Sequence, residues 1–147
     1  MRRDKGFTLI ELLIVVAIIG IIAAIAIPNL LNAVQRGKQK RTMGDMRTVA
    51  TAVESYAVDN NSYPSISTIT GLSIYLEPTY IRRLPTQDAW KTNFGWLTDS
   101  QSYSIISYGK NKRQDGSPPP LGATQKFDND LWFSTGTFVC YPEGSQQ

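Results

Sequence analysis

One carboxylate, Glu11, stands inside an apolar run that extends from Phe7 to Ile27 and directly follows the short basic stretch MRRDKG. An acid at membrane depth costs about 2.5–3.5 kcal/mol even on the lenient insertion scale, so it marks function and demands a partner. An amine is the natural one. Cleavage between Gly6 and Phe7 would create such an amine on Phe7, one helical turn before Glu11. The carboxylate also lies in the first turn of the helix, where the positive end of the dipole favours it. Within one chain the Phe7 amine and Glu11 do not meet ideally. The Phe7 amine of a neighbouring molecule, staggered along the helix axis, would meet it and so set the register of assembly.

A second set of acids lies near the C-terminus. In FDNDLW, Asp128 and Asp130 flank Asn129 after a long loop that begins near Asp115. Calcium takes about six to eight oxygens, and an aspartate pair with backbone carbonyls is a common supply. The same stretch also reads as a turn of solvated acids, and Lys110, Lys112, Arg113 and Lys126 oppose a cation. Other chemistry is missing from the sequence. It has no histidine, one cysteine (Cys140), no CxxC, no Gly-rich phosphate loop and no Ser/base arrangement. An enzyme is not expected, and no intrachain disulfide can form. Cys140 reads as a small buried hydrophobe, and Trp90, Trp96, Trp132 and Tyr103 as core aromatics rather than a stacking platform. The net charge of +3 owes two of its charges to MRRDKG, so the basic balance does not indicate nucleic acid.

The elements that must position these residues follow from periodicity. The run 7–27 spans roughly 30 Å as a helix, one hydrocarbon thickness. Pro28 removes one helix donor and crowds the carbonyl at Ala24, which predicts a kink or local melting. Beyond it the helix turns amphipathic, with Met46, Val49, Ala50, Val53, Tyr56 and Ala57 on one stripe that should pack on a sheet. Arg36, Lys38, Lys40 and Arg41 form a basic collar, solvated or facing lipid headgroups, where the helix leaves the membrane. DNNSYP predicts the helix end, with an asparagine at the C-cap. A stretch of loop and short helical pieces follows. Candidate strands come next in FGWLTD, SYSIISYG and DLWFSTGTFVCYP, the last folded as a hairpin about Gly136. A long helix on about three antiparallel strands is an α+β body.

The stretch KGFTLIELLIVVAIIGIIAAIAIPN resembles the leader and first helix of the type IV pilin-like family, which includes type IV prepilins and type II secretion pseudopilins. SYP, YIRRLPTQDAW and SYSIISYGKNKRQDG are similar to the major pseudopilin of type II secretion. This chain departs from that pattern at Ala89, at Lys91-Thr92-Asn93 in place of a Gly-Asn turn, and at Ser117–Pro120, which enlarge the last loop. The resemblance implies a leader (1–6) cut after Gly6 by a prepilin peptidase, with methylation of the Phe7 amine. It also implies a membrane and filament-core helix (7–27), an amphipathic continuation (28–59) and a head (60–147). Glu11 and Phe7 are the expected assembly pair and Pro28 the helix break. Asp128 and Asp130, with Asp115 behind them, are the expected calcium ligands. The expected partners are copies of itself, minor pilins or pseudopilins, and an inner-membrane platform with a cytoplasmic ATPase. Basic residues on both sides leave topology undecided by charge; the resemblance implies an inner-membrane subunit with its leader cytoplasmic and its body periplasmic or extracellular. The expected function is a filament subunit that pushes folded proteins through an outer-membrane channel. The alternatives are a type IV pilus subunit for adhesion, twitching or DNA uptake, and a monomeric anchored binding module.

Overall fold

The computed structural model describes residues 6–99, 101–116 and 121–144. Most of the leader and the Ser117–Pro120 enlargement of the last loop lie outside them. The chain divides into two compact units, residues 1–35 and 36–147.

The first unit is the apolar part of helix α1 (Leu9–Asn60). Its Leu, Ile and Val side chains are exposed, and none of its most apolar stretch is buried within the chain. Among the described residues it is the one helix long and apolar enough to cross a membrane. The helix runs unbroken through Pro28 in this single chain. The Asn29 side-chain amide donates to the Ile25 carbonyl at 3.1 Å, one residue beyond the carbonyl that Pro28 deprives of a donor.

The second unit begins with the amphipathic half of the same helix. Met46, Val49, Ala50 and Val53 are buried, as the stripe predicts, Tyr56 and Ala57 are half-buried, and Gln39, Thr42 and Met43 extend the stripe toward the N-terminus. Asn61, at φ 53°, takes the left-handed conformation that ends a helix. A 3-10 turn (Ile69–Leu72) and the one-turn helix α2 (Ser73–Leu76) follow and bury Leu72 and Leu76 in the same core.

Five strands, rather than about three, make the sheet. They are β1 (Gly95–Thr98), β2 (Tyr103–Ser107), β3 (Gly122–Thr124), β4 (Leu131–Ser134) and β5 (Thr137–Pro142), in the order β1-β2-β4-β5-β3. The three antiparallel pairs match the expected segments. The β4–β5 turn has Thr135 and Gly136 both at positive φ, the backbone that a two-residue hairpin turn requires. The addition is β3, which runs parallel to β5 with Gly122 opposite Cys140. Three residues, Gly-Ala-Thr, carry no periodicity, so only the edge of β5 reveals them as a strand. Ile105, Leu131, Phe133 and Phe138 from the sheet join the helix stripe in one core. Trp96 stacks on Tyr103 at 5.6 Å between ring centroids, and Arg47 lies over the Phe138 ring.

Candidate functional site

At the N-terminus, Thr8 and Glu11 cap helix α1 reciprocally. The Glu11 backbone N–H donates to Thr8 Oγ1 at 3.3 Å, and the Thr8 backbone N–H donates to Glu11 Oε2 at 2.8 Å. The Thr8 hydroxyl adds a third bond to the same carboxylate oxygen at 2.7 Å. This is a capping box: two otherwise orphaned N–H groups are satisfied by side chains three residues apart. Thr8 therefore joins Glu11 in the cap at the helix start, next to Phe7. The T-x-x-E spacing in the sequence was the signal that could have found it. Within one chain Glu11 already has donors. An incoming amine would meet a carboxylate that is held in place, with Phe7 beside it fully in the open.

The acidic loop is drawn together through Asp130. This residue is buried at the start of β4. Its Oδ2 accepts the Asp115 backbone N–H at 3.0 Å, while its Oδ1 is buried with no hydrogen-bond partner. Asp115 Oδ1 accepts the Asn111 side-chain amide at 2.9 Å. Burial raises the Asp130 carboxyl above its ordinary range; the Asp115 N–H bond opposes the shift and the Asp115 charge adds to it. Asp128 is exposed, but its backbone carbonyl and that of Asn129 crowd Gly109, where a Cβ would come within 2.6 and 2.7 Å of them. The orphaned Oδ1 is the feature that fits a hard cation. Among the described residues no three His, Cys, Asp or Glu side chains converge as a metal cluster. A calcium ion here would draw its remaining ligands from carbonyls, Asn side chains or water. Cys140 is buried nearby, and its thiol is shifted upward by burial first and then by the charges of Asp130 and Asp115. Burial and the neighbouring acids thus disfavour its thiolate, the reactive form.

The segment YIRRLPTQDAW carries a structural hub that sequence reasoning passed over. Asp88 is buried, and its Oδ1 accepts the backbone N–H groups of Trp90 (2.9 Å) and Thr92 (2.8 Å). Its Oδ2 accepts the Ser107 hydroxyl at 2.8 Å, which ties the turn to β2. The Ala89 N–H donates to Thr42 Oγ1 at 3.1 Å and docks the turn on α1. Lys91 sits at φ 63°, so the departure from a glycine turn keeps the left-handed geometry with a side chain attached.

The basic collar is largely unpaired. Arg41 reaches Asp45 at 3.7 Å across one helical turn, the one ion pair among the described residues, and with Arg41 well exposed it contributes little.

Comparison with known proteins adds two family matches. Residues 1–27 match the prokaryotic N-terminal methylation motif, and residues 29–120 match type II secretion system protein G. Among curated relatives, a type II secretion system core protein G of Pectobacterium carotovorum subsp. carotovorum is 33% identical, covering 79% of this chain and 80% of that protein. The core protein G of Vibrio cholerae serotype O1 is 32% identical, covering 79% and 87%. That of Aeromonas hydrophila is 34% identical, covering 74% and 84%.

Proposed function

The chain belongs to the type II secretion system protein G family, and from that premise we propose that it is a structural subunit of the secretion pseudopilus. The observation that carries this reading is an apolar helix with no cover inside its own chain, joined to a head that packs a separate core. Such a helix is soluble only in a bilayer or among its own copies. It first anchors the subunit in the inner membrane and then forms the filament core, while the head faces outward. The family match and the relatives' names favour secretion over a type IV pilus.

In the proposed mechanism a peptidase cuts between Gly6 and Phe7, and the Phe7 amine is methylated. The capping box holds the Glu11 carboxylate at the helix start until a neighbouring Phe7 amine docks against it. Register follows from matching one buried charge to another. Filament growth, driven by an ATPase on the cytoplasmic side of the membrane and acting with other pseudopilins, supplies the push. Pro28, continuous in the free subunit, is where the helix yields on packing into the fibre.

In this reading a single calcium ion would centre on the unpartnered Oδ1 of Asp130, with carbonyls, Asn side chains or water near Asp115 and Asp128 as the other donors. The ion would supply positive charge to a carboxylate that the fold buries without a cation. The ion, in place of a disulfide, would tie Asp115 to the start of β4.

The reading is tested by deleting the gene in its own host. Retention of exported proteins in the periplasm, reversed by the wild-type gene, is the expected result. Intact secretion with lost surface motility would transfer the protein to a pilus. Sequencing the mature polypeptide should return phenylalanine first.

A further inference from the structure

A cleft of about 640 Å³ opens at the start of the second unit, between helix α1 and the β3–β5 edge of the sheet. Its helix wall carries Arg36 and Lys40, one turn apart and both exposed. Its sheet wall carries Glu143, whose backbone N–H donates to the Thr124 carbonyl at 2.9 Å. Met43 and Phe127 add apolar surface. The opposed charges share the cleft without closing on each other, because neither cation lies within 4.0 Å of the Glu143 carboxylate. Two cations on one wall and one anion on the other describe a zwitterionic ligand with an excess of acceptor oxygens at one end.

We propose that this cleft binds the phosphoethanolamine headgroup of a membrane lipid. The phosphate oxygens accept from Arg36 and Lys40, and the primary ammonium donates to Glu143. The apolar walls take the glycerol end. Three points favour a lipid over other anions. Only eight residues separate Ile27, the last of the apolar run, from Arg36, so this basic wall follows the span closely along the chain. Long basic side chains reach back toward headgroups. Glu143 would repel a purely anionic headgroup or a free phosphate, whereas it completes the site for an ethanolamine. The proposal rests on the reading of residues 7–27 as a membrane span. It adds a lipid-specific contact that a subunit must break when it leaves the membrane for the filament.

The test uses the full chain in phosphatidylcholine nanodiscs doped with phosphatidylethanolamine or with phosphatidylglycerol. Lipids retained by the chain are counted by native mass spectrometry. Wild type should keep phosphatidylethanolamine over phosphatidylcholine by about tenfold, the worth of one charge-assisted hydrogen bond that a quaternary amine cannot make. Glu143→Gln should erase that preference and raise phosphatidylglycerol retention. Arg36→Ala with Lys40→Ala should lose both lipids, and Arg36→Lys with Lys40→Arg should restore them, which separates charge from folding. Equal retention of the two zwitterionic lipids by wild type would overturn the proposal, as would a preference that survives Glu143→Gln. Displacement of the lipid by soluble O-phosphoethanolamine at equal concentration would overturn the membrane source. A crosslink from Lys40 to a second copy in place of lipid would make the cleft a subunit interface and overturn it too. Failure of the chain to enter the disc at all would instead remove the membrane reading on which the proposal stands.

Discussion

Glu11 caps the helix and, in the proposed mechanism, sets the register of assembly, and substitutions can separate the two. The capping box needs an acceptor at the third helical position, which glutamine also supplies; register needs the charge. Glu11→Gln should therefore keep the cap and fail to incorporate into filaments, as Glu11→Val should, with cleavage after Gly6 intact in both. Thr8→Val keeps the charge and loses the cap, at about 1 kcal/mol, and should assemble with reduced efficiency. Co-expression with wild type and measurement of incorporation checks all three; normal assembly of Glu11→Gln would end the register argument. Asp130 makes a second residue-scale prediction. Its carboxyl is raised in the folded state, mainly by burial, so folding favours the protonated form. The stability it contributes is complete below the unfolded pKa and is lost as pH rises through the folded pKa. With chelator at neutral pH, Asp130→Asn should raise the melting temperature. With calcium the same variant should lose the calcium-dependent increment. Equal melting shifts with and without calcium would mean that no ion uses this carboxylate.

Single backbone positions decide how the elements meet. Gly109, at φ 58°, follows β2 and presses on the carbonyls of Asp128 and Asn129, so a methyl group has both the wrong dihedral and no room. Gly109→Ala should cost about 1–3 kcal/mol and weaken the proposed calcium binding, since the clash moves the backbone beside Asp130. Thermal melts with and without calcium measure both effects. Lys91 presents the opposite case. Its left-handed conformation costs a non-glycine residue about 1–2 kcal/mol, while glycine loses more chain entropy on folding. Lys91→Gly should leave the head slightly more stable, by a few tenths to about 1 kcal/mol. A fall in melting temperature would show that the Lys91 side chain holds the Asp88 turn by a contact stronger than the strain.

At the scale of the whole molecule, the two units answer to different solvents. Every residue of the main core lies at Met43 or beyond, while the apolar side chains of the first unit are exposed. A fragment beginning at Arg36 should fold as a soluble monomer with a cooperative melt, because it keeps the core intact and removes the uncovered helix. Sedimentation and circular dichroism check this. A fragment that aggregates or melts without cooperativity would mean that the head depends on the first unit. In the proposed assembly the head, whose core begins at Met43, would stay folded while the helix exchanges lipid neighbours for other subunits.

The sequence by itself determined the features whose cause is local. The length of the apolar run, the acid near its start, the helical stripe from Met46 to Val53, the asparagine that ends the helix and the Thr-Gly hairpin turn each depend on neighbours within a turn or two. Periodicity and side-chain type record such neighbours directly. The capping box was equally legible and needed only the spacing of Thr8 and Glu11. Tertiary structure alone decided which residues from distant segments share a low-dielectric space. It made Gly-Ala-Thr a strand by laying it along β5, and it chose Asp130 rather than Asp128 for burial. It turned Asp88 into an anchor for β2 and set Glu143 across a cleft from Arg36 and Lys40. Burial and charge opposition arise from long-range packing, and no local pattern in a chain encodes the partner it will meet after a hundred residues.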